Sequence, residues 1–233
     1  MSENKLFPIV ILAGGLATRL YPKTLHTPKS LIPINGKPFI YWQLGQLSKA
    51  GIKKVVICTG YLSDEIEEYV GNGSNFGLQV TYSKDGEKQL GTGGAIKKAL
   101  NMLPEEFFIT YGDSFLNIEY EKVQDTYTKS KKMGLLTVYH NNGQWDQSNA
   151  DLEGAQVIYS KNKPNPNFQF IDYGLSILKK EAIQHMPSTF DLSSLLEELS
   201  EKNEIVGFEA ANRFYEIGSL AGINDFEAFL TQQ

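Results

Sequence analysis

Strand-like and helix-like segments alternate through the first 140 residues, and this alternation restricts the possible folds more than any other feature. Apolar runs of strand length occur at Phe7–Leu12, Val55–Thr59, Gln79–Ser83, Phe107–Tyr111 and Leu135–Tyr139. Helical patterns separate them at 39–50, 64–70, 93–103 and 120–131, and Ser63 is the expected cap of the second helix. Such alternation predicts right-handed βαβ units and a mostly parallel sheet with helices on both faces.

The pattern changes near Asn141. Two predicted strands, 155–160 and 168–178, enclose a turn rich in proline and asparagine. A helix over 191–201, strands near 204–208 and 214–217, and a helix over 220–229 complete the chain. No internal repeat or linker divides the sequence. We therefore expect a single α/β domain, a Rossmann-like three-layer sandwich whose central sheet is mixed but mostly parallel.

Composition excludes several classes of protein. The hydrophobic fraction of 41% is typical of a globular chain, and no apolar stretch approaches the ~20 residues that cross a bilayer. The N-terminus is a poor signal peptide, because its short apolar run contains Pro8 and leads into a glycine turn. The single cysteine, Cys58, rules out an internal disulfide framework and is expected to be a buried structural thiol. These features predict a cytoplasmic protein without a membrane partner.

The charge distribution is strongly asymmetric. Residues 1–63 carry eight lysines and arginines against one acid, Glu3, a net +7 that leaves −12 for the rest of a chain whose total is −5. A basic segment on an acidic protein predicts an anionic ligand held locally. Nucleic acid is disfavoured as that ligand, since no nucleic-acid-binding motif occurs.

The anion site is expected at "AGGLATRL", directly after the first strand. Gly14 and Gly15 leave backbone N–H groups free to approach phosphates closely. The segment is not a Walker A loop, and Leu16 and Arg19 stand where a dinucleotide fingerprint requires glycine, which disfavours a nicotinamide oxidoreductase. The plainer alternative is a tight strand-to-helix turn with solvated basic residues.

A longer run of motifs resembles one enzyme family. "LAGGLATRLYPKTLHTPKSLIPINGKPFI" is similar to the signature of the sugar-1-phosphate nucleotidyltransferases, and six further matches follow in order over the chain. These are "GY" at 60–61, "LGTGGAI" at 90–96, "YGDSF" at 111–115, "YSK" at 159–161, "IDYGLSIL" at 171–178 and "FYEIGS" at 214–219. The resemblance implies that residues 1–140 form an NTP-binding half and residues 141–233 a sugar-phosphate-binding half of one catalytic domain.

The resemblance also assigns roles to individual residues. Arg19, Lys29 and Asp113 are the implied catalytic residues, with Lys29 on the α-phosphate and Arg19 on the departing pyrophosphate. The nucleotide is implied to contact Leu12, Ala13, Gly14, Gly15, Gly91, Thr92 and Gly112. One departure lies in the glycine loop, where Ala17 stands at a position that is glycine in most members.

The implied metal is Mg²⁺, bound by Asp113 and by Glu216, which replaces the aspartate usual in the family. For the sugar phosphate, Lys161 matches the binding lysine and Lys163 is an alternative. The other implied acceptor contacts are Asp172, Gly174, Asn149 and Glu153.

The implied reaction joins an NTP and a sugar 1-phosphate to give an NDP-sugar and pyrophosphate, for cell-surface polysaccharide biosynthesis. GTP with D-glycero-D-manno-heptose 1-phosphate or a mannose-like phosphate is favoured. UTP or CTP with another sugar phosphate, or with phosphocholine, is the alternative, and a catalytically silent regulatory subunit is the alternative from another class. We expect a monomer or homodimer, and no C-terminal β-helix, because hexapeptide repeats are absent from the sequence.

Overall fold

The computed structural model describes residues 5–15, 18–22, 24–86 and 88–232. The strands in these ranges are β1 (Ile9–Ala13), β2 (Pro33–Ile34), β3 (Lys37–Pro38), β4 (Lys54–Thr59), β5 (Gln79–Lys84), β6 (Glu106–Tyr111), β7 (Ser114–Leu116), β8 (Gly134–His140), β9 (Ala150–Glu153), β10 (Gln156–Tyr159), β11 (Phe170–Lys179), β12 (Ile205–Glu209) and β13 (Phe214–Glu216). The helices are α1 (Phe39–Lys49), α2 (Ser63–Val70), α3 (Gly91–Ala99), α4 (Tyr120–Ser130), α5 (Lys180–Gln184), α6 (Leu192–Glu201) and α7 (Leu220–Thr231).

Nine strands form the central sheet, in the order β5-β4-β1-β6-β11-β8-β12-β10-β9. β5, β4, β1 and β6 are parallel, as are β8 and β12. β11 lies antiparallel between β6 and β8, so these six strands share one direction. The prediction of a mixed, mostly parallel sheet is therefore confirmed, and the carboxyl ends of β1, β4 and β6 meet at one edge.

Alternation of side chains along the strands produces two cores, one on each face of the sheet. Ile9 and Ile11 of β1 pack in one core with α1, α2 and α4, whereas Val10 packs in the other with α3, α5 and α6. A third cluster joins α1 and α7 beneath the β7–β13 pair, around Phe39 and Phe226. Three layers result, as expected from the sequence.

The main helices and long strands agree with the sequence predictions to within about four residues at their ends. The expectation for Ser63 was wrong: it is the first helical residue of α2 and caps nothing, and its hydroxyl faces the Asp64 carboxylate instead. The short elements β2, β3, β7, β9 and α5 were not predicted. β7 matters most, because it follows Asp113 directly.

Two further expectations concern Cys58 and membrane-spanning helices. Cys58 is 1% exposed, and burial raises the pKa of its thiol to about 12, so the structural interpretation of this cysteine is confirmed. Among the described residues, no helix has both the length and the apolar character needed to cross a bilayer.

Candidate active site

A cavity of about 310 Å³ opens at the carboxyl ends of β1 and β6. Its position follows from the parallel sheet, in which loops after neighbouring strands converge. The structure thus brings together all seven residues of the predicted nucleotide contact set with Lys29 and Asp113. The lining includes Leu12, Ala13, Gly14, Gly15, Lys29, Ser30, Cys58, Asp85, Gln89, Gly91, Thr92, Ala95, Tyr111, Gly112 and Asp113.

The two loop glycines differ in their surroundings. A Cβ on Gly15 would meet no atom within 4 Å, so this residue leaves open space along the cavity. Gly14 packs against the turn after β4, where a Cβ on Gly60 would lie 2.8 Å from the Gly14 carbonyl oxygen. Close backbone packing therefore fixes one side of the loop and leaves the other accessible to a ligand.

Gly112 sets the position of Asp113. Its N–H donates to the Leu12 carbonyl at 2.9 Å, and a Cβ would approach that of Ala13 to 2.9 Å. Real Cβ atoms essentially never come so close, so only glycine lets the end of β6 lie against the end of β1. Asp113 is consequently held beside the glycine loop.

Lys29 and Asp113 form an ion pair across this edge of the sheet. The lysine lies in a 3-10 turn, Lys29–Leu31, that precedes α1. The two side chains are 20% and 30% exposed, so both remain accessible to ligands. A phosphate can bind the Lys29 ammonium group while a cation binds the Asp113 carboxylate. The pair is therefore suited to bind a polyphosphate that carries a metal ion.

Glu216 lies next to Asp113, because β13 pairs with β7 so that Glu216 faces Ser114. The Ile217 N–H also donates to the Asp113 carbonyl at 3.0 Å. Burial, and then the charge of Asp113, raise the pKa of Glu216 to about 7, while Lys29 opposes the shift. The residue nevertheless keeps more than a third of its surface accessible, so water screens part of this repulsion.

The neighbouring carboxylates of Asp113 and Glu216 are a donor set that suits Mg²⁺. The ion prefers octahedral oxygen ligation and takes one or two protein carboxylates, with phosphates and water completing the shell. Within the described ranges, no group of three or more His, Cys, Asp or Glu side chains could hold a metal. Two neighbouring carboxylates beside an open phosphate cavity fit the expected arrangement, and the assignment of Asp113 and Glu216 as ligands stays a prediction.

The predicted acceptor side is built on a bulge in β11. Pairing with β8 shifts between Asp172 and Ser176, and Gly174 adopts φ +91° there. The Gly174 N–H donates to the Asp172 carboxylate at 2.9 Å. Burial raises the pKa of Asp172, against the effects of this hydrogen bond and of the Lys161 charge.

The other predicted acceptor residues differ in position. The side-chain oxygen of Asn149 accepts a hydrogen bond from the Asp172 N–H at 2.8 Å, so Asn149 shapes the bulge. Lys161 and Lys163 are both exposed, and of the two it is Lys161 whose charge acts on Asp172. Glu153 lies at the β9–β10 turn, opposite Gln156, and no described contact joins it to the carboxylates of the site.

Gly91 and Thr92 line the cavity but also have structural contacts. Gly91 adopts φ +73°, and a Cβ there would lie 2.5 Å from the Phe190 carbonyl oxygen. The Thr92 hydroxyl accepts a hydrogen bond of 2.8 Å from the Leu192 N–H at the start of α6. The "LGTGG" motif, which contains Gly91 and Thr92, therefore joins α3 to α6, and its contact with the nucleotide stays a prediction.

Arg19 is the exposed middle residue of a 3-10 turn, Thr18–Leu20, and forms no ion pair with the described residues. Its contact with pyrophosphate stays a prediction. Ala17, the departure from the family pattern, lies outside the described residues.

Three residues of the site were missed from the sequence. Asp85 lines the cavity before the "LGTGG" loop, and its pKa is raised by burial despite a backbone hydrogen bond from Leu90. Tyr111, the last residue of β6, also lines it, and burial and nearby carboxylates, Asp172 foremost, raise its pKa. Gln43 reaches the site from the buried face of α1. Asp85 precedes a recognised motif and Tyr111 is the first residue of another, "YGDSF", so both had a signal in the sequence, whereas Gln43 had none.

Comparison with known proteins gives one family. Residues 9–203 match the model of the family described as nucleotidyl transferase. A relative from Campylobacter jejuni, named D-glycero-alpha-D-manno-heptose 1-phosphate guanylyltransferase, is 32% identical over 195 residues, 83% of this chain and 86% of its own. A Neisseria meningitidis protein, named N-acetylmuramate alpha-1-phosphate uridylyltransferase, is 38% identical over 112 residues, 48% of each chain.

A solved structure supports the fold. HddC from Yersinia pseudotuberculosis, complexed with GMP-PN, superposes with a TM-score of 0.78 at 23% identity, covering 97% of this chain and 100% of its own.

Proposed function

The chain belongs to the nucleotidyl transferase family and is a sugar-1-phosphate nucleotidyltransferase, and from this premise we propose a guanylyltransferase. It transfers a guanylyl group from GTP to D-glycero-D-manno-heptose 1-phosphate or a mannose-like 1-phosphate, with Mg²⁺. The Campylobacter relative, which carries the heptose name, supports this choice over the greater part of both chains.

The observation that carries the proposal is the Lys29–Asp113 pair beside the glycine-lined cavity. An oxygen of the acceptor phosphate attacks the α-phosphorus of GTP, and the bond to pyrophosphate breaks. The acceptor is already an oxyanion at neutral pH, so no strong general base is required. The chain must instead hold two anions together, and such positioning supplies on the order of 7–11 kcal/mol.

Each charged residue has a place in this step. Lys29 donates to the α-phosphate, Lys161 holds the acceptor phosphate, and Arg19 binds the departing pyrophosphate through its forked guanidinium. Asp113 and Glu216 would hold the Mg²⁺, whose charge would offset that of the triphosphate by several kcal/mol. Asp172 accepts hydrogen bonds from sugar hydroxyls.

Asp85 supports guanine as the base. Its carboxylate lies within the same cavity, with one oxygen 3.4 Å from the position of a Cβ on Gly14. Guanine presents two adjacent donors, N1–H and N2–H, that a carboxylate accepts together. Uracil presents one N–H between two carbonyl oxygens, which a carboxylate repels. A bidentate contact of this kind discriminates by about 1–3 kcal/mol.

The decisive experiment is pyrophosphate release from each of GTP, UTP, CTP, ATP and dTTP, with Mg²⁺, against a panel of sugar 1-phosphates and phosphocholine. We expect release with GTP and a heptose or mannose phosphate, abolished by EDTA and by Lys29→Ala or Asp113→Ala. Release with UTP or CTP alone would refute guanylyl transfer. Nucleotide binding without release from any pair would identify a regulatory subunit.

Base selection has its own test. Asp85→Asn keeps the size of the side chain but replaces one acceptor oxygen with a donor. We expect kcat/KM for GTP to fall about 10- to 100-fold, with a smaller change for UTP. An unchanged ratio between the two nucleotides would exclude Asp85 from base recognition.

A further inference from the structure

Gln43 is a buried amide on the apolar face of α1. It is 2% exposed, and the neighbouring buried positions of the helix are Phe39, Ile40, Leu44 and Leu47. An amide at such a position is costly unless its polar atoms are paired. Its presence among apolar residues therefore needs a specific explanation.

Both donor hydrogens of Gln43 are directed at the loop that carries Asp113. Its Nε2 donates to the Tyr111 carbonyl and to the Ser114 carbonyl, each at 2.8 Å. These two carbonyls flank Gly112 and Asp113, so one amide closes the turn from both sides. Gln46, three residues along the same helix, donates to the Leu116 carbonyl at the far end of β7.

This arrangement is not optimal for stability. The Gln43 Oε1 atom is buried and has no hydrogen-bond partner among the residues that the structure describes. An unpaired buried acceptor costs about 1–3 kcal/mol, whereas an apolar side chain of similar length would leave no orphan of its own. An unpaired buried polar atom of this kind is expected where the exact position of functional groups matters more than stability.

The loop that Gln43 holds carries one carboxylate of the predicted metal site and lies beside the other. Asp113 lies within the loop, and Glu216 faces Ser114 through the β7–β13 pairing. Lys29 lies in the 3-10 turn before the same helix, and Ile32, which ends that turn, accepts a hydrogen bond of 3.0 Å from the Phe39 N–H at the start of α1. Helix α1 is thus the common support of the lysine and of the carboxylate loop.

We propose that Gln43 is a positioning residue that sets the spacing of Asp113 and Glu216 for a divalent cation. The proposal rests on the proposed function, since it assumes that these carboxylates bind the metal of the nucleotide. Without the two N–H donors the turn is free to relax, and the two carboxylates separate under their mutual repulsion. Loss of such outer-shell support typically weakens metal binding 10- to 100-fold.

The test measures metal binding apart from turnover. Mn²⁺ is titrated into the protein with GTP and counted by the EPR signal of the free ion. Gln43→Met retains the length of the side chain and removes the donors, and we expect its Mn²⁺ Kd to rise at least 10-fold. GTP binding in EDTA should stay within twofold of wild type, because the glycine loop is unchanged.

The matched control is Gln79→Met, which makes the same change at an exposed position on β5. If Gln43→Met folds poorly, Gln43→Glu keeps the shape of glutamine and places an oxygen against the two carbonyls, with the same expected weakening. Wild-type Mn²⁺ affinity in a folded Gln43 variant, or an equal loss of GTP binding in EDTA, would overturn the proposal. Absence of transfer by the wild type would refute the proposed function and leave this binding result interpretable.

Discussion

Glu216→Gln is expected to stabilise the metal-free protein while impairing the enzyme. The pKa of Glu216 lies at about 7 instead of the ordinary 4.5, because burial and the charge of Asp113 disfavour its carboxylate. The amide removes that charge and keeps the size of the side chain. Repulsion within the cleft is therefore relieved, and one predicted Mg²⁺ ligand is weakened.

The size of the expected stabilisation by Glu216→Gln follows from proton linkage. A pKa of about 7 against 4.5 corresponds to roughly 3 kcal/mol. Glu216 keeps more than a third of its surface exposed, so solvent screening reduces the expected effect to about 1 kcal/mol. In a chain of this size, about 1 kcal/mol moves Tm by roughly 2–4 °C.

Because the pKa of Glu216 is higher in the folded than in the unfolded protein, its effect on stability depends on pH. Below about pH 4.5 the glutamate is protonated in both the folded and the unfolded protein, so the charge penalty is absent. Between about 4.5 and 7 the unfolded chain ionises first, and the stability of the wild type falls relative to the variant. Above about pH 7 the difference in stability between the variant and the wild type stays constant.

Thermal melting in EDTA, without nucleotide, at pH 5 and pH 8 measures this difference. We expect the Tm of Glu216→Gln minus that of wild type to be larger at pH 8 by about 2–4 °C. Glu209→Gln is the control, because Glu209 is also the exposed last residue of a strand. A variant less stable than wild type at pH 8, or a difference independent of pH, would refute the reasoning.

Two other substitutions test the supports of the site, and a third tests the contact between Arg213 and Trp145. Gly112→Ala should cost several kcal/mol of stability and abolish transfer, because its Cβ would lie 2.9 Å from that of Ala13; wild-type melting and turnover would contradict this. Thr92→Val should lower the free energy of unfolding by about 1 kcal/mol, since it removes the acceptor for the Leu192 N–H; an unchanged urea midpoint would count against that role. Arg213→Ala should release Trp145, which packs 4.1 Å from the guanidinium, and alter its fluorescence in a Trp42→Phe background; an unchanged emission spectrum would exclude the contact.

The long elements of the fold were predictable because their signals are local. β1, β4 and β6 are continuous apolar runs, and the helices between them have an apolar face at helical spacing. The convergence of Gly14 and Asp113 followed from a general rule for parallel sheets. β7 was missed because its pairing is not local: its partner strand β13 lies about a hundred residues further along the chain.

The supports of the site were hidden for a different reason. Gln43 belongs to a helix whose pattern is correctly recognised, and a single amide does not alter that pattern. Its partners are 68 and 71 residues away. Asn149 was recognised as a site residue, but its oxygen is bonded to the Asp172 backbone, 23 residues away. Sequence motifs therefore identify the groups that face a ligand more readily than those that hold them in place.

The charge asymmetry of the sequence takes a concrete form in this fold. The basic N-terminal segment and the acidic remainder meet where Lys29 pairs with Asp113. Asp172 and Asp146 add to the repulsion that acts on Glu216, and Lys29 is the cation that opposes it. A polyphosphate that draws Lys29 away from Asp113 increases this repulsion unless a divalent cation arrives with it. Metal and nucleotide are therefore expected to bind cooperatively, and each should raise the affinity for the other.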